Sequence, residues 1–157
     1  MKKQCVIIVI LWVFLSSANA QQNNKNMNYQ TLSPNIGVKS VSETVNFYTE
    51  VLGFKLVMNV PETGDLVWAM VAADNVSFMF QEMENLQEEY PFLKGRAETA
   101  TLSFYIKLKD MSKLYDKVKD TEYLVKELHK TPYGMDEFIL QDNNGYILTF
   151  AEGDLLY

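Results

Sequence analysis

Asp142-Asn143-Asn144-Gly145-Tyr146-Ile147-Leu148-Thr149-Phe150 is a turn followed by an apolar strand. Asn144-Gly145 is the strongest short signal for a β-hairpin, because both residues adopt positive φ angles at little cost. The strands of this hairpin are predicted over 137–141 and 146–151. The hairpin closes the second of two copies of one structural unit, and this repetition decides the fold.

Each copy consists of a strand, a short capped helix and three further strands. The first copy runs over about 33–82 and the second over about 99–152, with a linker at 83–98. In the first copy, Ser40 and Glu43 have the spacing of a capping box, and Gly53 is placed to end the helix. In the second copy, Asp110 is the predicted N-cap. The sequence therefore predicts an α+β fold of two tandem βαβββ modules, whose curved mixed sheets form a cup for a small molecule.

The N-terminus has the pattern of a secretory signal peptide. Lys2 and Lys3 precede an apolar run over 6–15, and small residues follow up to Ala20. The run is shorter than the roughly 20 residues that cross a bilayer. We predict a signal peptide at 1–20 with cleavage near Ala20, a flexible polar spacer at 21–32, a single domain at 33–152 and a tail at 153–157. The mature protein is then secreted or periplasmic, without stable membrane insertion; an uncleaved anchor is the alternative.

Charge and cysteine content exclude several classes of function. The chain has 14 basic and 20 acidic residues, and Arg96 is the only arginine. No basic stripe is present to follow a phosphate backbone, so a nucleic-acid partner is not expected. Cys5 is the only cysteine and lies within the predicted signal peptide. Disulfides, thiolate metal ligands and a cysteine nucleophile are therefore not expected in the mature protein.

The chain resembles the vicinal oxygen chelate superfamily, which includes glyoxalase I, extradiol dioxygenases and bleomycin-resistance proteins. Three stretches carry the resemblance: Val-Asn-Phe-Tyr-Thr-Glu-Val-Leu-Gly-Phe at 45–54, Tyr-Gly-Met-Asp-Glu-Phe at 133–138, and the ending at 142–152. The second stretch is most similar to the bleomycin-resistance branch. The resemblance covers nearly all of 34–152, but a shared fold does not by itself establish an activity.

The resemblance implies a divalent metal held by His, Glu or Gln from the first and last strands of each module. The matching positions are Ser33, Phe78, Ser103 and Thr149, and none of these supplies a carboxylate or an imidazole. Nearby atypical ligands would be Asn35 and either Gln81 or Glu82. The lone His129 is read as a surface-loop residue. We therefore expect no metal, no other cofactor and no catalytic residue, so enzymatic activity is uncertain and not favoured.

An aromatic-lined cup is left as the feature that could bind a ligand. The predicted ligand-binding residues are Phe78, Phe80, Ser103, Tyr105, Thr149, Trp68, Tyr133, Met135 and Phe138. Flat aromatic walls with a few hydroxyls suit planar or amphipathic organic ligands, and ring faces attract cations. For any single one of these aromatics core packing is favoured over ligand contact, except for Phe78, which the resemblance places at the floor of the cup.

Three functions remain open. The first is a metal-free protein that sequesters a small organic ligand, aromatic or cationic, as bleomycin-resistance proteins do. The second is a metal-dependent lyase, isomerase or dioxygenase with atypical ligands. The third is a dimeric interaction module without a ligand. Superfamily members often form homodimers in which two chains share a cup, and the sequence allows either that arrangement or a cup closed within one chain.

Overall fold

The computed structural model describes residues 30–95 and 102–154, and those from Thr31 onward belong to one compact unit. The predicted signal peptide, most of the spacer, the end of the linker and the last three residues lie outside the described residues. The strands are β1 (Asn35–Val38), β2 (Lys55–Val60), β3 (Trp68–Ala73), β4 (Val76–Glu82), β5 (Ser103–Lys107), β6 (Leu124–Lys130), β7 (Asp136–Gln141) and β8 (Ile147–Glu152). The α-helices are α1 (Val41–Asn46), α2 (Met83–Glu89) and α3 (Met111–Val118). No helix within these ranges is long and apolar enough to cross a membrane.

The two modules have the same topology. Their four-stranded sheets have the orders β1-β4-β3-β2 and β5-β8-β7-β6. In each sheet the first strand runs parallel to the last, and the other pairs are antiparallel. The α+β fold with two tandem βαβββ modules is confirmed.

Helix α1 begins where the sequence predicts. The Ser40 hydroxyl accepts a hydrogen bond from the Glu43 N–H at 3.2 Å, which satisfies one of the free donors at the helix start. The helix continues as a π-helical turn over Phe47–Val51, and Gly53, with a φ of 78°, follows its end. This arrangement directs Tyr48 into the core, where none of its surface is exposed.

Helix α3 is capped by a different residue from the one predicted. Asp110 occupies the N-cap position with a φ of 56°, but its side chain makes no capping hydrogen bond. Instead, the Glu152 carboxylate accepts hydrogen bonds from the N–H groups of Asp110 at 2.7 Å and Met111 at 3.2 Å. The cap therefore joins α3 to the end of β8.

The modules share one hydrophobic core, which lies on the helix side of both sheets. Phe47 of the first module packs edge-on against Tyr123 of the second, with ring centroids 4.7 Å apart. Phe78 on β4 packs in the same way against Phe104 on β5 at 5.1 Å. Apolar burial of this kind is the main force that holds the two modules together.

A buried polar link also joins the modules. The Tyr48 hydroxyl donates to Oδ2 of Asp142 at 3.1 Å, and the Asn144 side-chain amide donates to the Thr44 hydroxyl at 2.9 Å. Oδ1 of Asp142 accepts from the N–H groups of Asn144 at 2.9 Å and Tyr146 at 2.8 Å. One carboxylate thus fixes the β7–β8 turn and attaches it to α1.

This carboxylate predicts an effect of pH on stability. Burial raises the pKa of Asp142 above its ordinary value of 3.8, although hydrogen bonds partly oppose the rise. A raised pKa means that the folded protein favours the protonated form, so the contribution to stability is lost as pH rises through the folded pKa. We expect the unfolding free energy, relative to that of Asp142→Asn, to fall as pH rises from 3.8 through that higher value. Urea unfolding at several pH values measures this, and a difference independent of pH would contradict it.

Candidate binding faces of the two sheets

The face of each sheet that turns away from α1 or α3 is called its open face. Strand register assigns its residues, because directly paired residues point to the same side. The open face of the first sheet carries Asn35, Gly37, Lys55, Met58, Val60, Trp68, Met70, Ala72, Ser77, Met79 and Gln81. That of the second carries Ser103, Tyr105, Lys107, Lys126, His129, Glu137, Ile139, Gln141, Ile147, Thr149 and Ala151.

Four of the predicted ligand-binding residues lie away from the open faces. Phe78 and Phe80 are buried on the helix side, where their rings contact Tyr48 at 5.3 and 4.7 Å. Phe138 is likewise buried against Tyr115. Met135 has no exposed surface. All four side chains are buried in the single chain, so their contact with a ligand stays a prediction.

The other predicted residues lie at accessible positions. Ser103, Tyr105 and Thr149 share the open face of the second sheet, and Trp68 lies on that of the first. Tyr133 lies in the turn before β7 and is half exposed. Their contact with a ligand stays a prediction.

The polar side chains of the first open face bond mainly to one another. The Ser33 and Ser77 hydroxyls are 2.6 Å apart. The Asn35 amide donates to Oε1 of Gln81 at 2.6 Å, and Nε2 of Gln81 donates to Glu89 of α2 at 2.9 Å. The hydrogen bond from Gln81 lowers the pKa of Glu89. Helix α2, which lies within the predicted linker, is therefore attached to this face.

The second open face contains a cluster that the sequence analysis missed. The hydroxyls of Tyr105 and Tyr133 both donate to Oε1 of Glu137, at 2.6 and 2.8 Å. Burial of the hydroxyl and its hydrogen bond to Glu137 raise the pKa of Tyr105 to about 12. The hydrogen bond to Glu137 also raises the pKa of Tyr133. Both phenols therefore stay protonated donors at neutral pH.

His129 is not in a loop. It lies on β6, half buried, in register with Glu137 of β7. Its Nδ1 is 3.0 Å from the backbone carbonyl of Glu127. The β6–β7 pairing continues to Lys130 through register shifts, which places His129 within the strand.

The residues at the superfamily's metal positions do not fit a divalent cation. Phe78 points to the helix side, and its neighbour Met79 takes the open-face position beside Asn35. On β1, β4, β5 and β8 the open faces supply hydroxyl, amide, thioether and amine groups but neither imidazole nor carboxylate. Asn35 and Gln81, the atypical candidates, already hydrogen-bond to each other. No group of three His, Cys, Asp or Glu residues within 30–95 and 102–154 could hold a metal ion.

Two cavities lie between the modules. The larger, of about 800 Å³, is lined by the segment after the π-helical turn, the β3–β4 turn, the end of β5 with the loop to α3, and the end of β8. The smaller, of about 150 Å³, lies between β1 and the β7–β8 turn. None of the predicted ligand-binding residues lines either cavity. A site on the open faces would therefore be distinct from both.

A match to a protein-family profile shows which family this chain belongs to. The sequence profile of the Glyoxalase/Bleomycin resistance protein/Dioxygenase superfamily matches residues 30–150. The chain belongs to this superfamily. No curated protein sequence matches it significantly.

Solved structures of the superfamily share its fold. TioX from Micromonospora sp. ML1 is 14% identical with a TM-score of 0.62, over 79% of this chain and 98% of that one. TnmS3 from Streptomyces sp. CB03234, an antibiotic binding protein, is 16% identical with a TM-score of 0.59, over 82% and 99%. A glyoxalase-related enzyme from Fulvimarina pelagi is 16% identical with a TM-score of 0.62, over 82% and 99%. The binding protein and the enzyme have the same sequence identity to this chain and similar TM-scores. Similarity of fold therefore does not distinguish binding from catalysis, and the residues of the site must indicate the function.

Proposed function

We propose that this superfamily member is a metal-free binding protein for a small organic ligand, and that a second copy of the chain completes its site. The observation that carries the proposal is the chemistry of the open faces. They combine aromatic and apolar side chains with a few hydroxyls, and the strands that hold the superfamily's metal supply neither imidazole nor carboxylate there. The antibiotic-binding neighbour TnmS3 supports the proposal by analogy of fold only.

The need for a second copy follows from where the core lies. The helix-side faces of both sheets are buried in one shared core, so the open faces lie on the outside of the unit. Met58 on the open face of the edge strand β2 is 58% exposed, and Val60 is 50% exposed. Apolar strand faces of this kind usually mark a binding surface. A second chain that faces them would enclose a cup between a sheet of each chain.

The enzyme alternative is less well supported. Oxygen atoms of Asn35 and Gln81 would have to replace the carboxylates that hold divalent metals, yet Oε1 of Gln81 already accepts a hydrogen bond from the Asn35 amide. Elemental analysis of protein purified without chelators or a His-tag tests this point. We expect no stoichiometric metal, and near-stoichiometric zinc, nickel, manganese or iron would move the protein to the enzymes. Export through the predicted signal peptide stays a prediction.

Ligand binding can be followed through Trp68. The chain has two tryptophans, Trp12 and Trp68. In protein that begins at Gln21 only Trp68 is left, so tryptophan fluorescence responds to changes at the first open face. We expect at least one member of a panel of antibiotics and aromatic metabolites to change this fluorescence in a saturable way, because Trp68 lies where the ligand would bind. Trp68→Phe is the control for inner-filter effects. A panel without any saturable ligand, by fluorescence and by calorimetry, would refute the proposal.

A further inference from the structure

The phenol–carboxylate cluster, formed by Tyr105, Tyr133 and Glu137, has an uneven hydrogen-bond arrangement. Both hydroxyls donate to Oε1 of Glu137. Within residues 30–95 and 102–154, Oε2 of the same carboxylate accepts no hydrogen bond from a side chain or the backbone. A carboxylate has room for about four hydrogen bonds, so much of its acceptor capacity stays free.

The charge of this carboxylate is also unbalanced. Glu137 is only 6% exposed, and the ion pairs found within the described residues are Lys113–Asp110, Lys119–Asp116 and Lys130–Asp136. Burying an ionised carboxylate without a cation is costly, and hydrogen bonds from neutral phenols offset only part of that cost. Because no buried side-chain oxygen or nitrogen of the described residues lacks a hydrogen-bond partner, the unpartnered Oε2 of Glu137 must itself be accessible.

Two basic residues, Lys107 and His129, lie in line with Glu137 across the paired strands, but neither forms an ion pair with it. Lys107 lies two strands away and lines the larger cavity. His129 lies on the neighbouring strand, and its Nδ1 is within hydrogen-bond distance of a backbone carbonyl. Neither is within ion-pair distance of Glu137 among the described residues. Oε2 of Glu137 is therefore open to a cation supplied by a ligand.

The two phenol rings are exposed beside the carboxylate. Tyr105 is 49% exposed and Tyr133 is 50% exposed although their hydroxyls are engaged. Tyr133 is held in place by a tight turn, in which the Gly134 N–H donates to the Thr131 carbonyl and the Met135 N–H donates to the Thr131 hydroxyl. Fixed aromatic faces next to an anionic oxygen attract organic cations. The apolar Ile139 and Ile147 on the same face could contact the uncharged part of such a ligand.

From this arrangement we infer that Tyr105, Tyr133 and Glu137 form a subsite for the protonated amine of an organic ligand. The ammonium donates to Oε2 of Glu137, and its alkyl substituents pack on the two rings. The inference rests on the proposed function, because it names the ligand class for the same open face. It gives Glu137, a residue that the sequence analysis did not select, the role of primary contact.

Paired probes test the inference on the purified protein. Benzylamine is protonated at neutral pH, and benzyl alcohol has the same ring without the charge. We expect saturable NMR shifts of the amides of 105, 133 and 137 with benzylamine and much weaker ones with benzyl alcohol. Glu137→Gln should weaken benzylamine binding by about tenfold or more, as expected for a lost charge-assisted hydrogen bond. Glu62→Gln, which removes the same charge from an exposed turn, should leave the affinity unchanged.

Several outcomes would overturn the inference. They are equal binding of benzyl alcohol, an unchanged affinity in Glu137→Gln, and no saturable shift with benzylamine. Tyr133→Leu gives an independent reading if Glu137→Gln does not fold, since it removes only one exposed aromatic wall and should also weaken binding. If a panel ligand changes the Trp68 fluorescence but Glu137→Gln binds it unaltered, the inference fails while the proposed function stands. If no ligand is found at all, the proposed function itself fails.

Discussion

Tyr48→Ala is expected to lower the free energy of unfolding by about 4 kcal/mol, the sum of a cavity in the core and a lost hydrogen bond. The Tyr48 ring has no exposed surface and lies within 4.7–5.6 Å, between ring centroids, of Phe47, Phe54, Phe78 and Phe80. Its hydroxyl donates to the buried Asp142 of the other module. Because domains are stable by only about 5–15 kcal/mol, such a loss would leave little margin. Urea unfolding followed by circular dichroism measures it.

Tyr48→Phe separates the two contributions. It keeps the ring and removes only the hydroxyl, so we expect a loss of about 1–2 kcal/mol from the unpaired Asp142 oxygen. Combining it with Asp142→Asn in a double-mutant cycle isolates the coupling between the modules. If Tyr48→Phe is as unstable as Tyr48→Ala, the hydrogen bond outweighs the packing. If both are near wild type, the shared core does not depend on this ring.

Local sequence signals predicted the parts of the fold that depend on local chemistry. Ser40 caps α1 and Gly53 ends its helical turn, because a hydroxyl acceptor and a positive φ are properties of single residues. Gly145, with a φ of 88°, forms the predicted β7–β8 turn. The N-cap position of α3 is Asp110 as predicted, but the capping hydrogen bonds come from Glu152, which lies on a strand 41 and 42 residues away in the chain. Such a contact has no local signal.

The orientation of β4 shows a second limit of prediction from the sequence. Alternation separates Phe78 from Met79, but both sides of this strand are apolar, so the pattern alone does not indicate which side meets the helix. The bulkier aromatics went to the core, as burial energetics favours. A usable signal did exist for Glu137, a carboxylate directly before the apolar run Phe138-Ile139-Leu140. A charge at an alternating position of a buried strand indicates a partner or a ligand.

Met58→Glu is expected to dissociate the proposed dimer. Met58 lies on the edge strand β2 with its side chain on the open face, where the second copy would cover it. A carboxylate buried there without a cation would cost several kcal/mol, so the dimer dissociation constant should rise by roughly a hundredfold or more. Sedimentation velocity over a range of concentrations measures this change.

Met58→Leu is the matched control, because it keeps an apolar side chain of similar volume and should leave the dimer intact. Since Met58 is exposed in the single chain, Met58→Glu should change the stability of the monomer by less than about 0.5 kcal/mol. A loss of assembly at unchanged monomer stability therefore assigns the effect to the interface. Ligand binding should weaken with it, since half of the cup belongs to the partner. A wild-type protein that stays monomeric at high concentration yet binds its ligand would show instead that one open face is sufficient.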